Sequence, residues 1–114
     1  MGKTGVLGSF EEMVLLAVLH QGDHAYGVSI RRELSRRSES DVSMGAVYTT
    51  LDRLEEKGFV RQRRGEPTES RRGRPRQYYD VLPTGIAALD VTRRIRSTMW
   101  EGVELPAADP GGTR

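Results

Sequence analysis

The chain has 114 residues, 36% of them hydrophobic, so it is long enough for one small domain, and its net charge of +2 indicates no partner by itself. It contains no cysteine, which excludes a disulfide framework and a thiolate metal site. The chain has no run of about 18 apolar residues, so no membrane span is predicted. Residues 1–10 carry no hydrophobic signal region, so a cytoplasmic protein is expected.

Two helices are predicted first, over residues 9–21 and 26–37. Ser9 and Glu12 have the spacing of a capping box, and the apolar residues that follow them recur at helical spacing. In the second helix the apolar residues share one face, and the charged residues, Glu33 among them, are expected to face solvent.

A third helix is predicted from Ser43, a natural N-cap, to about Lys57, and Gly58 is expected to end it. Val42, just before this helix, is expected to pair briefly as a strand. Gly27 near the start of the second helix would permit another helix to approach closely.

Two strands follow, predicted over residues 59–64 and 74–81 and joined by a polar loop. From Arg61 to Arg76 there are seven arginines and two acids, a charge of +5. Such a concentration is typical of a surface that binds phosphates, although a solvated arginine-rich loop has the same composition.

A fourth helix is predicted from Pro83 to about Val103, with apolar residues at spacings of three and four. A helix that projects from a three-helix core needs a partner to cover such a stripe, so dimerisation is expected. The residues expected at the dimer contact are Val91, Ile95, Met99, Trp100 and Val103.

This order of elements describes a winged helix-turn-helix with an added dimerisation helix, a mainly α fold with a small β-hairpin wing. The expected divisions are a flexible N-terminus at 1–8, a DNA-binding domain at 9–82, the dimerisation helix at 83–104 and a disordered tail at 105–114. In such a fold the third helix lies in the major groove, and wing arginines meet phosphates or a minor groove.

Three motifs also carry a resemblance to a known family: Tyr26-Gly27, the block SMGAVYTTLDRLEEKGFV at 43–60, and GRPRQYYDVLPTG at 73–85. Over about residues 9–89 the sequence resembles the PadR-type transcriptional regulators. The resemblance implies a homodimeric winged-helix repressor that binds a palindromic operator in double-stranded DNA and is released by a small-molecule effector. The short tail implies the small subtype, which has a single C-terminal dimerisation helix.

Two residues depart from the family's usual pattern. Leu82 stands where a threonine would cap the fourth helix, and Asp80 places an acid near the base of the wing. Neither departure changes the predicted fold, but both leave the electrostatics of the wing open.

Small residues at the start of the third helix allow close approach, and the backbone amides there suit a phosphate. Ser43 is equally well explained as a plain N-cap. Arg53 is expected either to contact a phosphate or to pair with Asp52 or Glu56. Tyr48 resembles the family's tyrosine that reaches the DNA backbone, with half-buried packing as its alternative. The candidate DNA-contacting residues of this helix are Ser43, Gly45, Ala46, Tyr48, Thr49 and Arg53.

Arg72, Arg74 and Arg76 alternate along the chain and would share one face if the second strand begins early. They are the candidate DNA-contacting residues of the wing. Tyr78 and Tyr79 are expected to point to opposite faces, with one of them packed in the core.

Trp100 is the only tryptophan. Ordinary packing at the dimer contact explains it, and by position it also resembles a tryptophan that stacks on planar effectors in small-subtype relatives. His20 and His24 lack a third ligand, so no metal is expected. No catalytic arrangement or nucleotide motif is found, so no enzyme activity or cofactor is expected. The alternative function is a winged-helix adaptor for protein interaction or ligand sensing, without specific DNA binding.

Overall fold

The computed structural model describes residues 5–66 and 75–107 of the chain. Within them, three helices are followed by an antiparallel hairpin and a fourth helix, which confirms the predicted winged-helix class. In chain order the elements are α1 (Ser9–Gln21), a single 3₁₀ turn (Gly22–His24), α2 (Gly27–Ser38), α3 (Met44–Glu56), β1 (Val60–Arg64), β2 (Gln77–Val81) and α4 (Pro83–Trp100).

The bounds of α1 are as predicted, but the predicted capping box is wrong. Gly8 is the N-cap, and its carbonyl accepts the Glu12 backbone N–H at 2.9 Å, so Ser9 is already inside the helix. The Glu12 carboxylate instead accepts a hydrogen bond from Arg96 of α4 at 2.8 Å. Leu7, just upstream, is buried, and its N–H donates to the Thr92 hydroxyl oxygen of α4 at 2.9 Å, so tertiary contacts hold the segment that leads into α1.

Glu33 on α2 was expected to face solvent, and this expectation is wrong. The side chain is buried, and its carboxylate accepts hydrogen bonds from Arg37, from Arg36 at 2.9 Å and from Gln21 at 3.1 Å. The hydrogen bond from Arg37 holds the pKa of Glu33 below its usual value, although burial acts in the opposite direction. Two arginines therefore fold back over α2 and cover an acid.

Both predicted ends of α3 are confirmed. The Ser43 hydroxyl oxygen accepts the Ala46 N–H at 3.0 Å, as an N-cap does. At the other end Gly58 has φ +79°, and the Phe59 N–H donates to the Leu54 carbonyl at 2.9 Å. These contacts form a Schellman motif, in which the left-handed conformation favours glycine.

The expected brief strand at Val42 is wrong. The Val42 N–H donates to the Ser35 side-chain oxygen at 3.1 Å, and its carbonyl accepts from Arg31 at 3.3 Å. Side chains of α2 therefore satisfy the backbone groups that a strand partner would need.

The two strands pair from Val60 opposite Val81 to Arg64 opposite Gln77, so both are shorter than predicted. Pro75 and Arg76 precede β2, because proline has no N–H for the ladder. The predicted start of this strand at residue 74 lies outside the described residues.

The core lies between the first three helices and the base of the hairpin. Gly85 brings α4 against this base: a Cβ atom there would lie 2.5 Å from the Phe59 carbonyl oxygen. The largest fully buried side chains are Leu15, Ile30, Leu51, Leu54, Val14, Val18, Val47, Val60 and Thr92.

The fourth helix ends at Trp100 rather than near Val103. Glu101 leaves helical geometry and Gly102 has φ +77°, so the chain turns away before Val103. Across the described parts of the chain, no helix is long and apolar enough to cross a bilayer.

Candidate nucleic-acid interface

One face of α3 packs into the core and the opposite face is open. Val47, Leu51 and Leu54 are fully buried, so side chains half a turn away point to solvent. The predicted contact residues on that open side are all exposed: Gly45, Ala46, Tyr48, Thr49 and Arg53.

The N-terminal turn of α3 combines small side chains with a cap that remains able to bind. Ser43 is exposed, and its hydroxyl oxygen accepts a hydrogen bond from the backbone, which leaves its O–H free to donate. A Cβ atom added at Gly45 would meet no atom of the described structure within 4 Å. The positive end of the helix dipole is therefore accessible to an anion at close range.

Tyr48 lies across the start of α2. A Cβ atom at Gly27 would be 2.2 Å from the Tyr48 hydroxyl oxygen and 2.5 Å from its Cζ atom. The predicted close approach at Gly27 is thus confirmed. The tyrosine is nevertheless 44% exposed, so packing on α2 does not remove it from the surface.

Arg53 forms no ion pair with any acid in the described parts of the chain, so the predicted pairing with Asp52 or Glu56 is wrong. Both acids are exposed, and together with Glu55 they line a shallow depression on α3. Their charge disfavours a phosphate at the C-terminal half of the helix except where Arg53 offsets it, and it favours anions at the N-terminal half. We did not anticipate this acidic half, although the run DRLEE contains the signal.

At the base of the hairpin, one acid forms ion pairs with two arginines. Asp80 pairs with Arg63 at 3.1 Å and with Arg61 at 3.4 Å on the neighbouring strand. Arg63 also donates to the Asp23 carbonyl at 2.9 Å, which ties the hairpin to the turn after α1. The acid that departs from the family pattern therefore offsets one of the two arginine charges at the inner end of the wing.

Two exposed arginines remain at the outer end of the described hairpin, Arg64 and Arg76. The Gly65 N–H donates to the Arg76 carbonyl at 2.8 Å, so the two arms are still paired beyond the last strand residues. Arg72 and Arg74, the other two wing candidates, lie outside the described residues.

One of the two neighbouring tyrosines of β2 was expected in the core, and Tyr79 is there. Tyr78 is also buried, packed edge-to-face against Tyr26 and His24 on the other side of the strand. Burial raises the pKa of Tyr79 to about 12, with smaller electrostatic effects from the Tyr48 phenol and from the nearby acids Asp52 and Glu55 of α3.

The apolar face of α4 is buried at one end and bare at the other. Leu89 and Thr92 are buried, whereas Met99, two turns beyond Thr92 on the same side, is 71% exposed. Trp100 is 58% exposed. Ile95 and Val103 are exposed as well, and Val91 is half-buried beside Gly5.

A second bare apolar surface joins α1 to α4 and was not anticipated. Leu16 and Leu19 of α1 and Ile86 of α4 are each about two-fifths exposed and line one cleft. The signal in the sequence was that α1 is apolar on all sides, whereas the core covers only part of its circumference.

Within residues 5–66 and 75–107, no cluster of three or more histidine or acidic side chains has the arrangement of a metal site.

A sequence model described as "Transcriptional regulator PadR-like family" matches residues 15–91, which is more than half of the chain. That family consists of transcriptional regulators, so the function it indicates is that of a DNA-binding regulator, a class that is generally non-enzymatic. A search of curated proteins gives no match.

Solved structures support the same conclusion about the fold. A PadR-like transcription factor from Bacteroides fragilis is 25% identical, with a TM-score of 0.68 over 81% of this chain and 84% of the other. A transcriptional regulator from Clostridium thermocellum is 22% identical, with a TM-score of 0.66 over 80% and 85%. RosR of H. salinarum is 24% identical, with a TM-score of 0.65 over 86% and 81%.

Proposed function

Since the chain belongs to the PadR-like family of transcriptional regulators, we propose that it is a sequence-specific repressor that binds a palindromic operator as a homodimer. The observation that supports this most directly is the open N-terminal half of α3, beside a hairpin whose outer end bears exposed arginines. Such a regulator acts where the chromosome lies, so its proposed location is the cytoplasm.

The N-terminal half of α3 is the proposed reading element. Gly45 and Ala46 allow the helix to approach the groove floor, and Thr49 offers a methyl group and a hydroxyl to base edges. Ser43 and Tyr48 are proposed to donate to backbone phosphates, with Arg53 one turn further along. The exposed acids at the other end of α3 disfavour a helix lying flat along the groove, so entry by the N-terminus is favoured.

The wing is proposed to bind the flanking DNA with Arg72, Arg74 and Arg76. The ion pairs of Asp80 hold two arginines at the hairpin base, so the cations available for phosphates lie toward its tip. Arginine is favoured in narrow minor grooves as well as on phosphates, and either mode adds to affinity through release of counterions.

The bare surfaces of α1 and α4 are proposed to form the dimer contact. Val91, Ile95, Met99 and Trp100 lie on α4, mostly past the core, and exposed Val103 follows the end of the helix. Leu16, Leu19 and Ile86 extend the surface toward α1. Burial of these side chains against a second copy removes apolar area from water, the dominant favourable term in association.

Release from DNA is proposed to follow binding of a small-molecule effector at the dimer contact. Trp100 is its candidate contact, because an exposed indole offers a flat face to a planar ligand. A ligand that favours one separation of the two reading helices would change operator affinity, because half-sites are spaced by about one helical turn.

Footprinting on the region upstream of the gene tests the proposal. The expected result is a protected palindrome, with affinity that falls steeply as salt rises. The control Arg94→Ala removes one exposed positive charge on α4 and should leave the salt slope unchanged. Arg74→Ala with Arg76→Ala should reduce the slope by about 3.6, since the two copies of the dimer together lose four phosphate contacts of about 0.9 each. Binding that is equally weak on all sequences would favour the adaptor function instead.

A further inference from the structure

The chain just before α2 pairs with the wing. Tyr26 forms an antiparallel bridge with Tyr78 of β2, and the Tyr79 N–H donates to the Ala25 carbonyl at 2.8 Å. The Tyr26 and Tyr78 rings meet edge-to-face, with centroids 6.0 Å apart and an interplanar angle of 83°. The base of the wing is therefore anchored to the N-terminus of α2 by backbone and by side chains.

The Tyr26 ring also contacts an arginine of the wing, Arg76. The Cζ atom of Arg76 lies 4.3 Å from the centroid of this ring, within the range of a cation–π contact. Arg76 closes the described part of the hairpin through its carbonyl, which accepts the Gly65 N–H. Its guanidinium thus lies over the ring of the residue that caps α2. Arg76 stands where the chain leaves the arginine-rich loop and enters β2.

The next residue along the chain touches the proposed reading helix. The Tyr48 ring of α3 lies directly over Gly27, where a Cβ atom would be 2.2 Å from the tyrosine hydroxyl oxygen. Consecutive residues, Tyr26 and Gly27, therefore contact the wing on one side and α3 on the other.

We infer that Tyr26 and Gly27 fix the orientation of the wing relative to α3, and that Tyr26 is a positioning residue for Arg76. The aromatic face holds the guanidinium in one orientation, so less side-chain freedom is lost when it meets a phosphate. The inference rests on the proposed function, because its effect is expressed as DNA affinity.

The first test is a double-mutant cycle on a duplex that carries the footprinted site. Tyr26→Leu should weaken binding about two- to fivefold, the value of an exposed cation–π contact. Tyr26→Phe keeps the aromatic face and should stay within about twofold of the wild type. In the Arg76→Ala background, Tyr26→Leu should cause no further loss beyond about twofold. If the two losses multiply, Tyr26 does not act through Arg76 and the inference is wrong.

A second set of variants avoids any change in the folded interior. Arg76→Lys keeps the charge but loses the planar group that stacks, so it should weaken binding about as much as Tyr26→Leu. Arg61→Lys, on the other arm of the hairpin and paired with Asp80, is the matched control and should bind as the wild type does. Equal effects of the two lysine variants would overturn the inference, because they would show that stacking at Arg76 contributes nothing.

A measurement without DNA separates this inference from the proposed function. In proton NMR spectra of the free protein, ring current from Tyr26 should shift the Arg76 side-chain signals, and Tyr26→Leu should abolish the shift. If the shift is present but the wild type binds no DNA, the proposed function fails while the stacking contact stands. If the wild type binds DNA and the shift is absent, the positioning role fails alone.

Discussion

At Gly45, a single substitution is expected to change protein stability and operator affinity in opposite directions. It lies inside α3, where glycine is less favourable than alanine, and there is open space around its Cα atom. Gly45→Ala should therefore raise the free energy of unfolding by about 0.5–1 kcal/mol. If the groove floor lies against this turn, the same methyl group should weaken operator binding by about tenfold, roughly 1.4 kcal/mol.

Thermal unfolding and a binding titration measure the two effects of Gly45→Ala side by side. Glu56→Ala is the control, because it changes the exposed, acidic end of the same helix and should not weaken binding. Higher stability with unchanged affinity would place the DNA elsewhere than on the first turn of α3.

Because the phenol of Tyr79 is buried, the stability of the protein is expected to fall at alkaline pH. Its pKa in the folded protein is about 12 against an ordinary value of 10.0, so the ionised form is favoured in the unfolded chain. Its contribution to stability is complete below pH 10 and is lost as pH rises toward 12. Urea denaturation at successive pH values should show a shallower decline for Tyr79→Phe. Tyr48→Phe removes a smaller, electrostatic contribution to the raised pKa of Tyr79 and should keep most of the steep decline of the wild type.

At the scale of elements, α4 is held to the winged helix at several points close together. Thr92 accepts the Leu7 N–H at 2.9 Å, and Arg96 binds both the Glu12 carboxylate at 2.8 Å and the Leu7 carbonyl at 3.2 Å. The N-terminal segment is thereby fastened between α1 and α4. We therefore expect a shift of α4 at the proposed dimer contact to move the N-terminal segment and α1 with it.

Gly85 is the point where α4 has no room for a larger residue. An alanine Cβ atom would lie 2.5 Å from the Phe59 carbonyl oxygen, which also accepts the Leu82 N–H at 2.8 Å, and 2.8 Å from Val81 Cγ1. Backbone cannot swing away as a side-chain tip can, so Gly85→Ala should destabilise the domain by about 1–3 kcal/mol. Urea denaturation measures this, and the m value should not change. A neutral or stabilising result would mean that α4 sits further from the hairpin.

At the scale of the whole molecule, the described residues leave apolar surface that one copy cannot cover. Met99→Glu puts a charge in the proposed dimer contact and should raise the dimer dissociation constant by about 100-fold, roughly 3 kcal/mol, because the charge must be desolvated. Sedimentation equilibrium measures the dissociation constant. Ser40→Glu adds the same charge at an exposed position after α2, away from α4, and should leave the dimer intact. A similar response to both variants would remove α4 from the interface.

The sequence by itself determined the order of elements, the ends of α3 and the family. Apolar periodicity, the Ser43 cap and the left-handed glycine at Gly58 each act within a few neighbouring residues, so each can be read locally. The block at residues 43–60 was specific enough to indicate the family before any contact was known.

Only the tertiary structure decided which charges are available and which surfaces are bare. That Asp80 pairs with both Arg61 and Arg63 depends on the register of the hairpin. That Glu33 is buried and Arg76 lies on Tyr26 depends on elements distant in sequence meeting in space. The physical reason is the same in each case: periodicity records which side of an element is apolar, whereas the partner of a charge or a ring is set by packing.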